Sequence, residues 1–424
     1  MCERQSGDFA AAVRLLRRAL LIEPLSPEAH CELGLALQAA QQLDEALTCF
    51  DKLITLKPDL AEAHYNRGNA LLQLGKFEQC IASYNNALAL RPTHVSALIN
   101  RGTTLLQLKQ AQQALNDFDA ALALSPGQVV AWTNRAEALR VLQHIQDALA
   151  SCDRALSISP DNAHAWLVRA GIMKDAGLQT EALAACQRAL EISPNFPEAL
   201  TRLGERLALQ GDVEGAVSCF DRALAIKPDD DITLSTRIFA LDFAAKGDFA
   251  SHQAARSLWW HRIGAKIAAE HPPHHDNDFN PTRRIVLGYV SADFKHHSAA
   301  YAFRPVLQHH DRSQFEVICY SGSPVEDAVT ASFRQLADRW RDARMWSDDQ
   351  LAQCIATDKV DILIDLSGHS ERTSPARVCR QARADPGHRM GTCDRHRRAY
   401  DRLPVGRSGH DPRRGPPSVR RADP

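Results

Sequence analysis

No stretch of this chain approaches the roughly 20 consecutive apolar residues that span a bilayer. Its first residues, Met-Cys-Glu-Arg-Gln-Ser-Gly-Asp, hold no apolar signal-peptide core. An excess of one charge is missing as well: 50 Lys and Arg stand against 51 Asp and Glu. That balance gives no general attraction to nucleic acid or to an anionic membrane surface, so neither is expected as a partner. The 11 cysteines are odd in number, scattered, and never spaced Cys-x-x-Cys. Such usage argues against a disulfide framework and a thiolate metal site, so no metal is expected. It suits small buried hydrophobes in a reducing, cytoplasmic setting.

What the chain has instead is a ladder of prolines. Pro24, Pro58, Pro92, Pro126, Pro160, Pro194 and Pro228 stand 34 residues apart without an insertion. Each follows a segment such as Ala-Leu-Ala-Leu-Arg, and proline cannot continue a helix. A period of 34 with a helix–turn–helix pattern is the signature of tetratricopeptide repeats. Counting the proline as position 32, position 8 is Gly34, Gly68, Gly102, Ala136, Ala170 and Gly204. Position 20 is Ala46, Cys80, Ala114, Ala148, Ala182 and Ala216. Two helices approach closely only where side chains are small, so these columns mark crossings. Position 24 holds the larger Phe50, Tyr84, Phe118 and Phe220, with Cys152 and Cys186 in two repeats, expected to fill space between repeats.

Residues 1–230 are therefore expected to form an α-solenoid, a half repeat and six full repeats. Its first helices should line a concave face. Asn66, Asn100 and Asn134 fall at position 6 of those helices. An amide side chain donates and accepts, so the three suit binding the backbone of an acceptor peptide; a solvated helix face reads equally well. Residues 231–280 leave the period and read as a helical linker, with Trp259 and Trp260 as packing anchors. From Arg284 the pattern turns to short apolar runs at 285–290, 315–320 and 360–366, separated by helical stretches 298–309, 325–340 and 348–357. This alternation predicts a partial α/β, Rossmann-like lobe over 281–370. No Gly-x-Gly-x-x-Gly follows the first strand, which disfavours a simple dinucleotide dehydrogenase. Ligands bind outside the carboxyl ends of such strands. There lie Ser291-Ala-Asp-Phe-Lys-His-His297 and Ser367-Gly-His-Ser370, two polar loops bearing histidines.

Repeats followed by Arg284-Ile-Val-Leu-Gly-Tyr-Val-Ser-Ala-Asp-Phe-Lys-His-His-Ser298 resemble the bacterial protein O-GlcNAc transferases of glycosyltransferase family 41. The likeness continues through His310-Asp-Arg-Ser-Gln-Phe-Glu-Val-Ile-Cys-Tyr-Ser321, Glu326-Asp327, Arg339-Trp-Arg341 and Asp361-Ile-Leu-Ile-Asp-Leu-Ser-Gly-His369. The resemblance implies transfer of N-acetylglucosamine from UDP-GlcNAc, a donor substrate and not a cofactor, to Ser or Thr of proteins recruited by the repeats. It implies a general-base or acceptor-positioning role for His297, a place in the same cleft for His369, and a loop-bracing role for Asp293.

From Glu371 the resemblance stops. Residues 371–424 hold fourteen arginines, seven prolines, and no Lys, Ile, Phe, Trp or Asn. They are expected to be disordered, either as a natural basic tail or as out-of-frame text of a GC-rich gene. The second lobe, which in the family holds the UDP pyrophosphate, has no counterpart. The resemblance therefore implies an inactive fragment, with a non-catalytic repeat scaffold as the alternative.

Overall fold

The computed structural model describes residues 9–241, 249–270, 277–278, 280 and 282–366. They fall into two compact units, one running to Gly264 and the other from Ala265 to Leu366.

The first unit is the expected solenoid. Helix α1 (Phe9–Ile22) is followed by six helix pairs, each of thirteen and then fourteen residues. They are α2 (Pro27–Ala39) and α3 (Leu43–Leu56), α4 (Ala61–Gln73) and α5 (Phe77–Leu90), and α6 (Val95–Gln107) and α7 (Ala111–Leu124). Then come α8 (Val129–Val141) and α9 (Ile145–Ile158), α10 (Ala163–Asp175) and α11 (Gln179–Ile192), and α12 (Pro197–Leu209) and α13 (Val213–Ile226). The first helix of every pair ends at position 15 in the left-handed region, at Gln41, Gly75, Lys109, Gln143, Gly177 and Gly211. The next amide bonds to the carbonyl five residues earlier, as Gln42 does to Leu37 and Lys76 to Leu71, both at 2.9 Å. This closure satisfies the last carbonyls of the helix and fixes the reversal.

Position 8 explains itself. A Cβ on Gly34, Gly68, Gly102 or Gly204 would stand 2.5 to 2.7 Å from the ring of Phe50, Tyr84, Phe118 or Phe220. Each ring thus lies against the glycine of its own repeat, rather than only between repeats as the sequence suggested. Where position 8 is Ala136 or Ala170, position 24 is the small Cys152 or Cys186. All four of these side chains are buried. Methyl and ring exchange volume across one helix pair, as a core at crystal-like density requires.

Two polar columns stitch the repeats. At position 4, Trp132 and Trp166 donate through Nε1 to the carbonyls of Pro126 and Pro160 at 2.9 Å. The Nε2 of His30 and of His64 serve Pro24 and Pro58 at 3.0 Å. At position 7 an arginine reaches a position-25 acid of the preceding repeat: Arg67 to Asp51 at 2.6 Å, Arg135 to Asp119 at 2.6 Å, and Arg169 to Asp153. Arg67 and Arg135 also donate to Ser83 and Ser151 of their own repeat, both at 2.7 Å. Arg101 instead takes Asp117 of its own repeat and Asn85 of the one before. The column lapses at Leu203, where position 25 of the preceding repeat is Gln187. There the buried Arg206 donates to Gln179 at 2.8 Å. Beyond the sixth pair, α14 (Asp231–Leu241) carries Arg237 in the same column, bound to Asp221 at 2.8 Å. Helix α15 (Phe249–Trp259) runs into a π turn over Trp260–Gly264. Trp259 is buried there and donates to Asp231 at 2.5 Å.

The second unit opens with the short α16 (Ala265–Glu270). Its core is a four-stranded parallel sheet in the order β3-β2-β1-β4: β1 (Ile285–Ser291), β2 (Phe315–Ser321), β3 (Arg339–Asp342) and β4 (Ile362–Asp365). Helices α17 (Ser298–Gln308), α18 (Ala328–Leu336) and α19 (Asp348–Thr357) make the crossovers. The expected helix 325–340 is shorter, because Arg339-Trp-Arg-Asp342 is a strand. Alternation decides it. Arg339 and Arg341 both reach the buried carboxylate of Asp358, at 2.9 and 2.6 Å, and Tyr320 donates to the same group at 2.8 Å. Trp340 packs on Phe294 instead, their ring centroids 5.5 Å apart. Burial pushes the Asp358 carboxyl up, but Arg341, Tyr320 and Arg339 outweigh it and hold the group below the usual range.

Matching carboxylates pin two strand starts. Asp361 accepts the Val286 amide at 2.8 Å and the Arg283 guanidinium at 2.6 and 2.5 Å. Asp338 accepts the Val317 amide at 2.7 Å and Arg312 at 2.8 Å.

Candidate active site

In a parallel sheet ordered 3-2-1-4, the chain turns one way after β1 and lies on the other side at β4. The switch point is the crevice outside the carboxyl ends of β1 and β4, where such sheets bind ligands. Val290 pairs with Asp365 at that end. A shallow depression there is lined by Ser291, Asp293, Phe294, Ala299, Phe303 and Leu366.

The loop after β1 carries the histidines. His297 is the N-cap of α17; its backbone is extended (φ −153°, ψ 150°), and its Nδ1 accepts the Ala299 amide at 3.3 Å. With Nδ1 accepting, the neutral ring keeps its proton on Nε2. In this geometry the exposed imidazole offers a hydrogen-bond donor; acting as a base would require Nδ1 to release the cap. His296 is also exposed. Its amide is held by Asp327 at 2.7 Å and its ring stands edge-on to Tyr301, centroids 5.6 Å apart.

Asp293 is half-buried beside the depression, and its amide donates to Ser291 Oγ at 2.9 Å. A carboxylate with no role assigned from the sequence holds the loop: Asp327, N-cap of α18, part of the Glu326-Asp327 match. The amides of Thr330 and His296 keep its carboxyl below the usual range. The signals available were that match and an N-cap pattern, Asp327 followed by Thr330, and neither says anything of a partner on another loop. His369 and the rest of Ser367–Ser370 lie outside the described residues.

Asn100 and Asn134 stand half-buried on first helices, with Asn66 at the same position on α4. The side-chain amides of Asn100 and Asn134 are already engaged. Asn100 Nδ2 donates to Asn69 Oδ1 at 2.9 Å, and Asn134 Nδ2 to Thr103 Oγ1 at 2.9 Å, each on the preceding first helix. Among the described residues no three His, Cys, Asp or Glu side chains gather as a metal would need, and no helix is long and apolar enough to cross a membrane.

Comparison with known proteins fits both units. Tetratricopeptide repeat families match residues 38–75, 61–94, 99–163, 133–197 and 175–234. Residues 236–377 match glycosyl transferase family 41. Residues 236–377 are thus family 41 glycosyltransferase-like. Over 159 residues the chain is 33% identical to the probable UDP-N-acetylglucosamine–peptide N-acetylglucosaminyltransferase SPINDLY of Oryza sativa subsp. japonica. That match covers 36% of this chain and 17% of the rice protein. The UDP-N-acetylglucosamine–peptide N-acetylglucosaminyltransferase of Caenorhabditis elegans is 27% identical over 139 residues, 12% of its length. Among solved structures, a mutant of the Thermobaculum terrenum O-GlcNAc transferase superposes with a TM-score of 0.51 at 30% identity. The superposition covers 60% of this chain and 48% of that one. A tetratricopeptide repeat protein of Parabacteroides merdae shares the solenoid fold, with a TM-score of 0.52 at 21% identity over 94% of its chain.

Proposed function

We propose that this chain serves transfer of N-acetylglucosamine from UDP-GlcNAc to serine or threonine hydroxyls of proteins. The repeats hold the acceptor polypeptide and the β1 loop meets its hydroxyl. The observation that carries this reading is His297, exposed on a helix N-cap at the switch point of a parallel sheet, inside the segment that matches family 41. In the geometry described, Nε2–H would hold the acceptor oxygen. Proton removal by the same ring requires the Ala299 cap to open. Asn66, Asn100 and Asn134 retain their carbonyl oxygens for an acceptor backbone in this reading. The second reading, a repeat scaffold without catalysis, is supported by the likeness of the solenoid to a free-standing repeat protein.

One experiment separates them. The purified chain and its His297→Ala variant are incubated with UDP-GlcNAc and a library of Ser/Thr peptides, and both peptide retention and glycosylation are measured. Glycosylated serine or threonine, reduced about 100-fold or more in the variant, supports the transferase. Retention without transfer supports the scaffold or the inactive transferase fragment, and His297→Ala then leaves retention unchanged in the scaffold and weakens it in the fragment, where the ring holds the acceptor. No retention sinks both.

A further inference from the structure

Asp327 has two oxygens and uses them in two different places. Oδ1 accepts the Thr330 amide at 2.9 Å and so caps α18. Oδ2 reaches across to the β1 loop and accepts the His296 amide at 2.7 Å. Thr330, one turn in and 1% exposed, completes the clamp by donating its hydroxyl to the Phe294 carbonyl at 2.7 Å. The first turn of α18 therefore grips the β1 loop at Phe294 and at His296, on either side of Lys295 and immediately before His297.

We infer that Asp327 is the positioning residue of the histidine loop, with Thr330 as its second anchor; this rests on the transferase reading of His297. The physical reason is directional. A loop peptide with no partner samples many orientations, and fixing one of them costs conformational entropy. A charge-assisted bond from an anionic carboxylate to a backbone amide is short and strong enough to select one orientation. Fixing the His296 amide fixes the Lys295–His296 peptide plane, one residue before the Cα from which the His297 side chain leaves. Asp327 itself acts only through the backbone.

The two-oxygen arrangement supplies a clean test. Asp327→Ser keeps an N-cap of equal quality for α18 but leaves one short oxygen, which cannot also reach His296. Amide hydrogen exchange of the full chain is followed at His296 and through α18, together with the imidazole proton–carbon correlation of His297. In Asp327→Ser the His296 amide should exchange about tenfold faster or more. The His297 ring signal should move toward its position in an unstructured peptide. The α18 amides and the ring signals of Tyr289 and Trp340 should stay where they are. Thr330→Val, which removes the hydroxyl to Phe294, should loosen the same loop. Ser347→Ala, which removes the N-cap oxygen bound to Gln350 at 3.2 Å on α19, should leave His296 unchanged. Slow exchange at His296 in both Asp327→Ser and Thr330→Val overturns the proposal. Equal loosening in Ser347→Ala overturns it too, because general destabilisation would then be the cause. No substrate is used, so a failed transfer assay leaves this result standing.

Discussion

The exchange of volume between positions 8 and 24 makes a quantitative prediction. In α6 and α7, Gly102 lies under Phe118, and an added Cβ would stand 2.7 Å from the ring. Gly102→Ala should therefore cost about 1–3 kcal/mol from overpacking. It should regain about 1 kcal/mol from the better helix propensity of alanine, for a net loss near 1 kcal/mol. Phe118→Cys alone empties a fully buried ring site, and by analogy with truncation of buried aromatics should cost about 3 kcal/mol. Combined, the clash is gone, the propensity gain remains and the new methyl fills part of the hole. The double variant should lose only about 2 kcal/mol, a coupling of about 2 kcal/mol in its favour. This pair already exists in the chain as Ala136 with Cys152 and Ala170 with Cys186. Native-state hydrogen exchange at amides of α6 and α7 reads local opening free energies without assuming that the whole chain melts as one. Additivity within about 0.5 kcal/mol would refute the packing argument.

Other expectations follow from the turns, the histidines and the thiols. Lys109→Gly and Gln143→Gly replace residues held at φ 62° and 64°, so each should stabilise its repeat by about 0.5–1 kcal/mol; Gly211→Ala, at φ 87°, should cost about as much, all measured by the same exchange. His310, bonded to the Tyr289 hydroxyl at 2.7 Å, has its pKa lowered by burial and then by Arg312. Its folded pKa lies below its unfolded one, so stability is full above about pH 6.5 and falls as the pH drops through that region. The second unit should open more readily at pH 5 than at pH 7, and His310→Gln should flatten that slope; carboxylates held low, such as Asp361, act only nearer pH 4. Burial pushes the thiols of Cys152 and Cys319 up to about 12 and that of Cys186 up to about 11. Mass mapping after iodoacetamide at pH 8 should find all three protected while the half-buried Cys31 is labelled.

The solenoid was legible because its signal repeats: seven prolines and three columns of small or aromatic residues agree on one register. The parallel sheet was legible from Ile285–Val290 and Phe315–Tyr320, apolar runs too short for helices. Strand β3 was not, since Arg339-Trp-Arg-Asp342 has no apolar run, and its alternation makes sense only once Asp358 lies beneath it. The role of Asp327 escaped for a similar reason. Its partner is a backbone amide 31 residues away, and a backbone amide leaves no mark in a sequence. Asn100 and Asn134 were visible as a column, but their donation to Asn69 and Thr103 depends on how one repeat is rotated on the next.

The arginine column has a mechanical consequence. Most joints between successive repeats are crossed by an exposed guanidinium–carboxylate tie, which contributes about 0–1 kcal/mol and is screened by salt. The joint between α11 and α12 has Leu203 and Gln187 in those places and a buried arginine–amide bond, Arg206 to Gln179, in their stead. Ionic strength therefore acts unevenly along the coil. Added salt softens the charged joints and leaves this one and the joint between α5 and α6, where Arg101 also meets an amide, that of Asn85, unchanged, so the solenoid behaves as a spring with two windings of fixed stiffness.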